Sequence, residues 1–130
     1  MSDYSEVIIG EQMEPFTIIT NKGWATVYGH SIDAFGYKFY AAPYSKNGSF
    51  VWSITEAESG AKLFSQTDSS GSGSYEEVMF FLNTVLALRI VSVMTKLKAL
   101  DNFESLNQNI EMYRKNAVEK WGEIPVIRIQ

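Results

Sequence analysis

The stretch from Val78 to Thr95 constrains this chain most. It runs for 18 residues with Arg89 as its only charge. Its apolar positions Met79, Leu82, Leu86 and Ile90, continued by Val93, Leu97 and Leu100, recur at steps of three or four, the period of an α-helix. A second stripe, Val78, Phe81, Val85 and Leu88, lies beside the first. The first half of this helix is therefore apolar over most of its circumference and calls for cover on more than one side. Asn83, Thr84, Arg89 and Ser92 oppose a membrane span, since a mid-segment arginine costs about 2.5–3.5 kcal/mol on insertion. The expectation is a buried helix and no membrane. Ser74 stands three residues before Glu77, a capping-box spacing that opens a helix. Asp101 and Glu104 repeat that spacing and predict a break and restart. The second helix then carries Phe103, Leu106, Ile110, Tyr113, Ala117 and Trp121 on one face, with Gly122 as its stop.

What precedes the helices reads as strands and turns. Phe16 to Thr20 is β-rich and ends in the turn Asn21-Lys22-Gly23. Trp24 to His30, Tyr37 to Ala42, Phe50 to Thr55 and Lys62 to Ser65 supply further strands. Asn47-Gly48 favours the positive φ of a tight hairpin, and Phe50, Trp52 and Ile54 share one strand face. Short turns between sequential strands give an antiparallel meander. Residues 66–74 form a flexible Ser/Gly loop, and residues 1–14 an acidic N-terminal segment. Ile124 to Ile129 predicts a short C-terminal strand. The fold class is α+β: a meander of about four to five strands packed against two helices, in one domain spanning 1–130.

Composition narrows the function. Fifteen acids against eleven bases give a net charge of −4, which disfavours a strongly basic nucleic-acid binder. The acids collect in residues 1–77, which hold ten of them against four bases. With no cysteine, thiol catalysis, disulfide scaffolds and cysteine zinc sites are excluded. The polar start Met1-Ser2-Asp3-Tyr4-Ser5-Glu6 lacks a signal-peptide pattern and points to a cytoplasmic protein.

Candidate chemistry is sparse. The only histidine, His30, precedes Asp33 by three residues, so a small enzyme built on His30 and a carboxylate is one reading, without a Gly-x-Ser-x-Gly elbow to support it. Glu56 and Glu58 flank a turn, and Glu76 and Glu77 suit the positive end of a helix dipole. No calcium-loop spacing or P-loop ending accompanies them, so no metal or cofactor is expected. Aromatic residues, 14% of the chain, gather between Trp24 and Trp52, more than one sheet face can take. If Phe50, Trp52 and Ile54 face the helices, Tyr40 and Tyr44 fall on the open face. There they serve either to stack nucleic-acid bases or to anchor a protein interface. Few lysines accompany them, which favours the protein.

The run Phe50-Val51-Trp52-Ser53-Ile54-Thr55-Glu56, followed by Ser59-Gly60-Ala61-Lys62-Leu63 and a capped helix, resembles the hairpin style of small phage- and mobile-element-borne proteins. That resemblance implies a stoichiometric inhibitor of host machinery, of the anti-CRISPR type, and carries no functional residue with it. The expected function is a non-enzymatic protein-binding module acting on a host nucleic-acid-handling protein, with Tyr40, Tyr44, Glu56 and Glu58 as binding residues. A small nucleic-acid or peptide binder using the aromatic sheet face is the alternative. A symmetric dimer through the doubly apolar helix or the terminal strand stands beside both.

Overall fold

Strand pairing runs in simple sequence order. The computed structural model, which describes residues 7–68 and 74–125, holds a five-stranded antiparallel sheet ordered β1-β2-β3-β4-β5. The strands are β1 (Val7–Thr20), β2 (Gly23–Ala34), β3 (Tyr37–Lys46), β4 (Ser49–Glu56) and β5 (Lys62–Asp68). Asn47 and Gly48 both sit at positive φ, 52° and 80°, as a two-residue hairpin turn requires. Helix α1 (Tyr75–Asp101) follows, widened to a π-turn at Leu82–Leu86. Asn83 and Thr84 donate their side chains to the carbonyls of Met79 and Phe80, which supplies partners where the regular ladder loosens. Asn102 and Phe103 then take the left-handed conformation, and α2 (Glu104–Trp121) begins. The α+β expectation holds, as does the break between the helices. Asp101 caps α2 by accepting from the backbone N–H and hydroxyl of Ser105, one residue beyond the spacing read from sequence.

The core lies between one sheet face and α1. Ile32, Phe39, Ala41, Trp52 and Ile54 meet Leu82, Leu86, Ile90 and Met94, all of them buried. Phe103 joins them, edge-on to Phe35 and Tyr37. α2 buries Leu106 and Ala117 and ties down by hydrogen bonds from Tyr37 to Asn107 and from Trp24 Nε1 to Gly122 O. Tyr113, expected on its buried face, is exposed.

Several sequence boundaries shift. β1 starts at Val7, so the acidic segment is strand from there on, and β5 takes in Gln66, Thr67 and Asp68 from the expected loop. The reason is pairing: Val7–Ile9 match Ile32–Ala34, and Gln66–Asp68 match Phe50–Trp52. Val7-Ile8-Ile9 is β-branched and favours a strand locally, whereas at Gln66 and Asp68 tertiary hydrogen bonding overrides poor local propensity. The expected C-terminal strand and the Ser/Gly centre of the loop lie outside the described residues. α1 differs too. By length and composition it could cross a membrane, yet it seats one line of side chains on the sheet and leaves Phe80, Val85 and Leu88 exposed, so among the described residues it is covered on one side.

The candidate recognition cleft

The β1–β2 hairpin does not stay in the plane of the sheet. β2 pairs with β3 only from His30 to Ala34, and from Gly23 to Gly29 its only strand partner among the described residues is β1. β1 carries a bulge between Ile9 and Met13 opposite this point, and a bulge bends the strand that holds it. Gly29 sits at the crossing. A Cβ there would lie 2.4 Å from the Ala41 carbonyl oxygen and 2.9 Å from Phe16 Cε1, so only glycine lets the two backbones approach. The distal half of the hairpin therefore folds over the sheet face away from the helices. Its far end reaches the β4–β5 turn, where the Ile19 N–H donates to Gly60 O at 3.0 Å. The bulge carbonyls are satisfied in turn, Gly10 O by His30 Nδ1 at 2.8 Å and Glu11 O by the Tyr75 hydroxyl at 2.9 Å.

A cleft of about 500 Å³ lies between the folded hairpin and the outer sheet face. Met13, Phe16, Ile18, Val27 and Tyr28 form the hairpin wall. Ala42, Pro43, Tyr44, Ser53, Thr55 and Lys62 form the sheet wall. At its base Phe16 stacks on Tyr40, with ring centroids 4.3 Å apart and planes 6° from parallel. Tyr28 stands at the mouth, 60% exposed. The lining is thus mostly apolar and aromatic, with three hydroxyls (Tyr44, Ser53 and Thr55) and one ammonium on the sheet wall, and its volume suits a small ligand or a few side chains of a partner.

The four residues singled out from sequence fare differently. Tyr44 lines the cleft, half-buried, with its hydroxyl 3.4 Å from Ser65 Oγ. Tyr40 lies on the expected face but is buried, because Phe16 covers it. Its hydroxyl donates to Glu14, and burial first, then that carboxylate, push its pKa up to about 12. Glu56 is 4% exposed and turned into the β4–β5 turn, where its two oxygens accept the N–H groups of Glu58 (2.9 Å) and Ser59 (2.7 Å). Glu58 is exposed on that turn. The structure brings none of the other three to the cleft wall beside Tyr44. His30 is buried against Trp52, and Asp33, three residues along the same strand, is exposed on the other side. Among the described residues no three His, Asp or Glu side chains converge as a metal site would need.

Met13, Phe16, Ile18, Val27 and Tyr28 were missed as site residues because their role follows from the hairpin's folding over, not from strand alternation. The local signal was Tyr28-Gly29, a glycine inside a strand pattern, which marks a bend or a close backbone approach. No family model, curated protein or solved structure matches this chain.

Proposed function

We propose that the chain is a non-enzymatic binding module that takes a short segment of a partner protein into the cleft under the β1–β2 hairpin. The observation that supports this reading is the lining: Phe16, Ile18, Val27, Tyr28, Pro43 and Tyr44 present apolar and aromatic surface in a preformed hollow. Lys62 is the only charged residue on its wall, so the segment that fits carries an apolar or proline side chain next to an acidic one. A nucleic-acid strand fits less well, because stacking platforms work with a cationic groove along the backbone and one lysine does not make one. The wider identity of the partner, a host nucleic-acid-handling protein met by a phage-type inhibitor, rests on the acidic composition and the hairpin style.

The test is affinity capture with the full chain and with Tyr28→Ala, Tyr44→Ala, Lys62→Glu and Glu58→Lys, each checked for native circular dichroism. The reading expects one protein held by the wild type and by Glu58→Lys, and held at least tenfold less by the other three. Equal capture by all five forms defeats it.

A further inference from the structure

Helix α1 has a second face that no other element covers among the described residues. Leu82, Leu86, Ile90 and Met94 form its buried line at steps of four. Phe80, Thr84 and Leu88 form a parallel line displaced by two residues, about 200° around an ideal helix from the buried one, with Phe80 also bordering a hollow beside Gln66, Thr67 and Asp68 of β5. Phe80 is 71% and Leu88 70% exposed. Val85, also exposed, lies beside Phe80 at the hollow next to β5. Large apolar side chains exposed in a row mark an interaction surface.

The charges along α1 say what covers it. Its first turn is acidic, with Glu76 and Glu77, and no further acid follows until Asp101. Its second half is basic, with Arg89, Lys96 and Lys98. An antiparallel copy of the same helix matches acidic end to basic end, whereas a parallel copy stacks like charges. The apolar ridge is also symmetric about its middle, Phe80 and Leu88 lying four residues either side of Thr84. We propose that this ridge is the interface with a second copy of the chain, packed antiparallel about a two-fold axis at Thr84. Phe80 then meets Leu88 of the second copy, and Glu77 approaches its Arg89, whose guanidinium also donates to Gln66 Oε1 at 2.7 Å and lies over the Phe64 ring of its own β5. Such an isologous contact closes as a dimer and leaves no free end. The cleft is on the opposite sheet face, so both copies keep it open and this inference does not rest on the proposed function.

About an axis at Thr84 residues 75–93 of the two helices overlap over about 28 Å, and a strip about 10 Å wide along them presents roughly 280 Å² per copy. That is about a third of a standard interface side, so the dimer is weak and exchanging. The chain has no cysteine, which makes the geometry directly testable. Thr84→Cys places a thiol on the two-fold axis, and Glu111→Cys, on the exposed side of α2, serves as the control. Sedimentation of the wild type between 1 and about 500 µM is expected to show a reversible monomer–dimer equilibrium. Leu88→Glu is expected to weaken it at least tenfold while circular dichroism stays native, and Thr84→Cys to oxidise to a covalent dimer far faster than the control. A wild type that stays monomeric overturns the proposal, whether or not it sediments with phosphatidylglycerol vesicles. So does equal cross-linking by the two cysteine variants, or a dimer indifferent to Leu88→Glu.

Discussion

Glu56 offers the sharpest division between a binding role and a structural one. Glu56→Ala removes the acceptor for two backbone N–H groups, those of Glu58 and Ser59. Ser59 is buried, so water cannot replace the lost partner there, while the Glu58 N–H is more accessible. A hydrogen bond to a charged acceptor contributes about 1.5–3 kcal/mol, and the orphaned Ser59 N–H carries most of that penalty. The Glu58 bond adds less because solvent compensates it. The expected loss is about 3 kcal/mol, or roughly 10 °C in Tm for a domain of this length. Glu56→Gln keeps one carbonyl acceptor but turns an amide toward the second N–H, and loses about half as much. Urea unfolding followed by tryptophan fluorescence measures both, and equal m-values establish that the denatured state is unchanged. A Glu56→Ala midpoint within about 0.5 kcal/mol of wild type refutes the argument, since surface substitutions fall in that range.

Three further expectations follow from the packing. Gly29→Ala forces a Cβ to 2.4 Å from Ala41 O, so the hairpin must lift from the sheet; a loss of about 1–3 kcal/mol in urea unfolding and wider spread of the Phe16 and Tyr40 ring resonances are expected. Leu86→Ala is expected to lose about 2–5 kcal/mol by the same assay, whereas Leu88→Ala, two residues away, changes monomer stability by less than about 0.5 kcal/mol, because the first side chain is buried and the second exposed. Tyr40 binds its proton more tightly when folded, so its contribution to stability is complete below pH 10 and drains away as pH rises from 10 to about 12. Absorbance at 295 nm is expected to show Tyr40 ionising last, and Tyr40→Phe removes that final step.

Local chemistry made the strands and helices readable. Asn47-Gly48 fixes one hairpin by its demand for positive φ, and Phe50-Val51-Trp52 alternates because one face packs on α1. Ser74 and Glu77 form the capping box their spacing suggests, with the Ser74 hydroxyl accepting from the Glu77 N–H and the Glu77 carboxylate accepting from the Ser74 N–H. Each of these is decided within a few residues. The end of β5 is not, since Gln66-Thr67-Asp68 becomes strand because Phe50–Trp52 lie alongside, whereas Val7-Ile8-Ile9, all β-branched, carries a local strand signal inside the acidic segment. Periodicity also left open what covers α1, because a pattern can show that a face is apolar without showing what lies against it.

The cleft was hidden for a related reason. Alternation assigns Tyr40 and Tyr44 to the sheet face away from the helices, and both lie there. What alternation cannot supply is a second layer on that face, since nothing in Phe16-Thr17-Ile18 says that its strand leaves the sheet plane. That outcome depends on three long-range facts together: a bulge opposite His30, a glycine able to cross the Ala41 backbone, and a landing site at Gly60. With them, Phe16 covers Tyr40 and turns a candidate contact residue into a floor, while Tyr28 moves from an unremarked strand position to the mouth. The two tyrosines therefore separate by experiment. Tyr44→Ala alters the cleft wall and is expected to leave unfolding unchanged within about 1 kcal/mol, whereas Tyr40→Ala removes the stacking partner of Phe16 and unfolds about 3 kcal/mol earlier. Equal destabilisation by the two would mean that the hairpin does not rest on Tyr40, and the cleft would lose its floor.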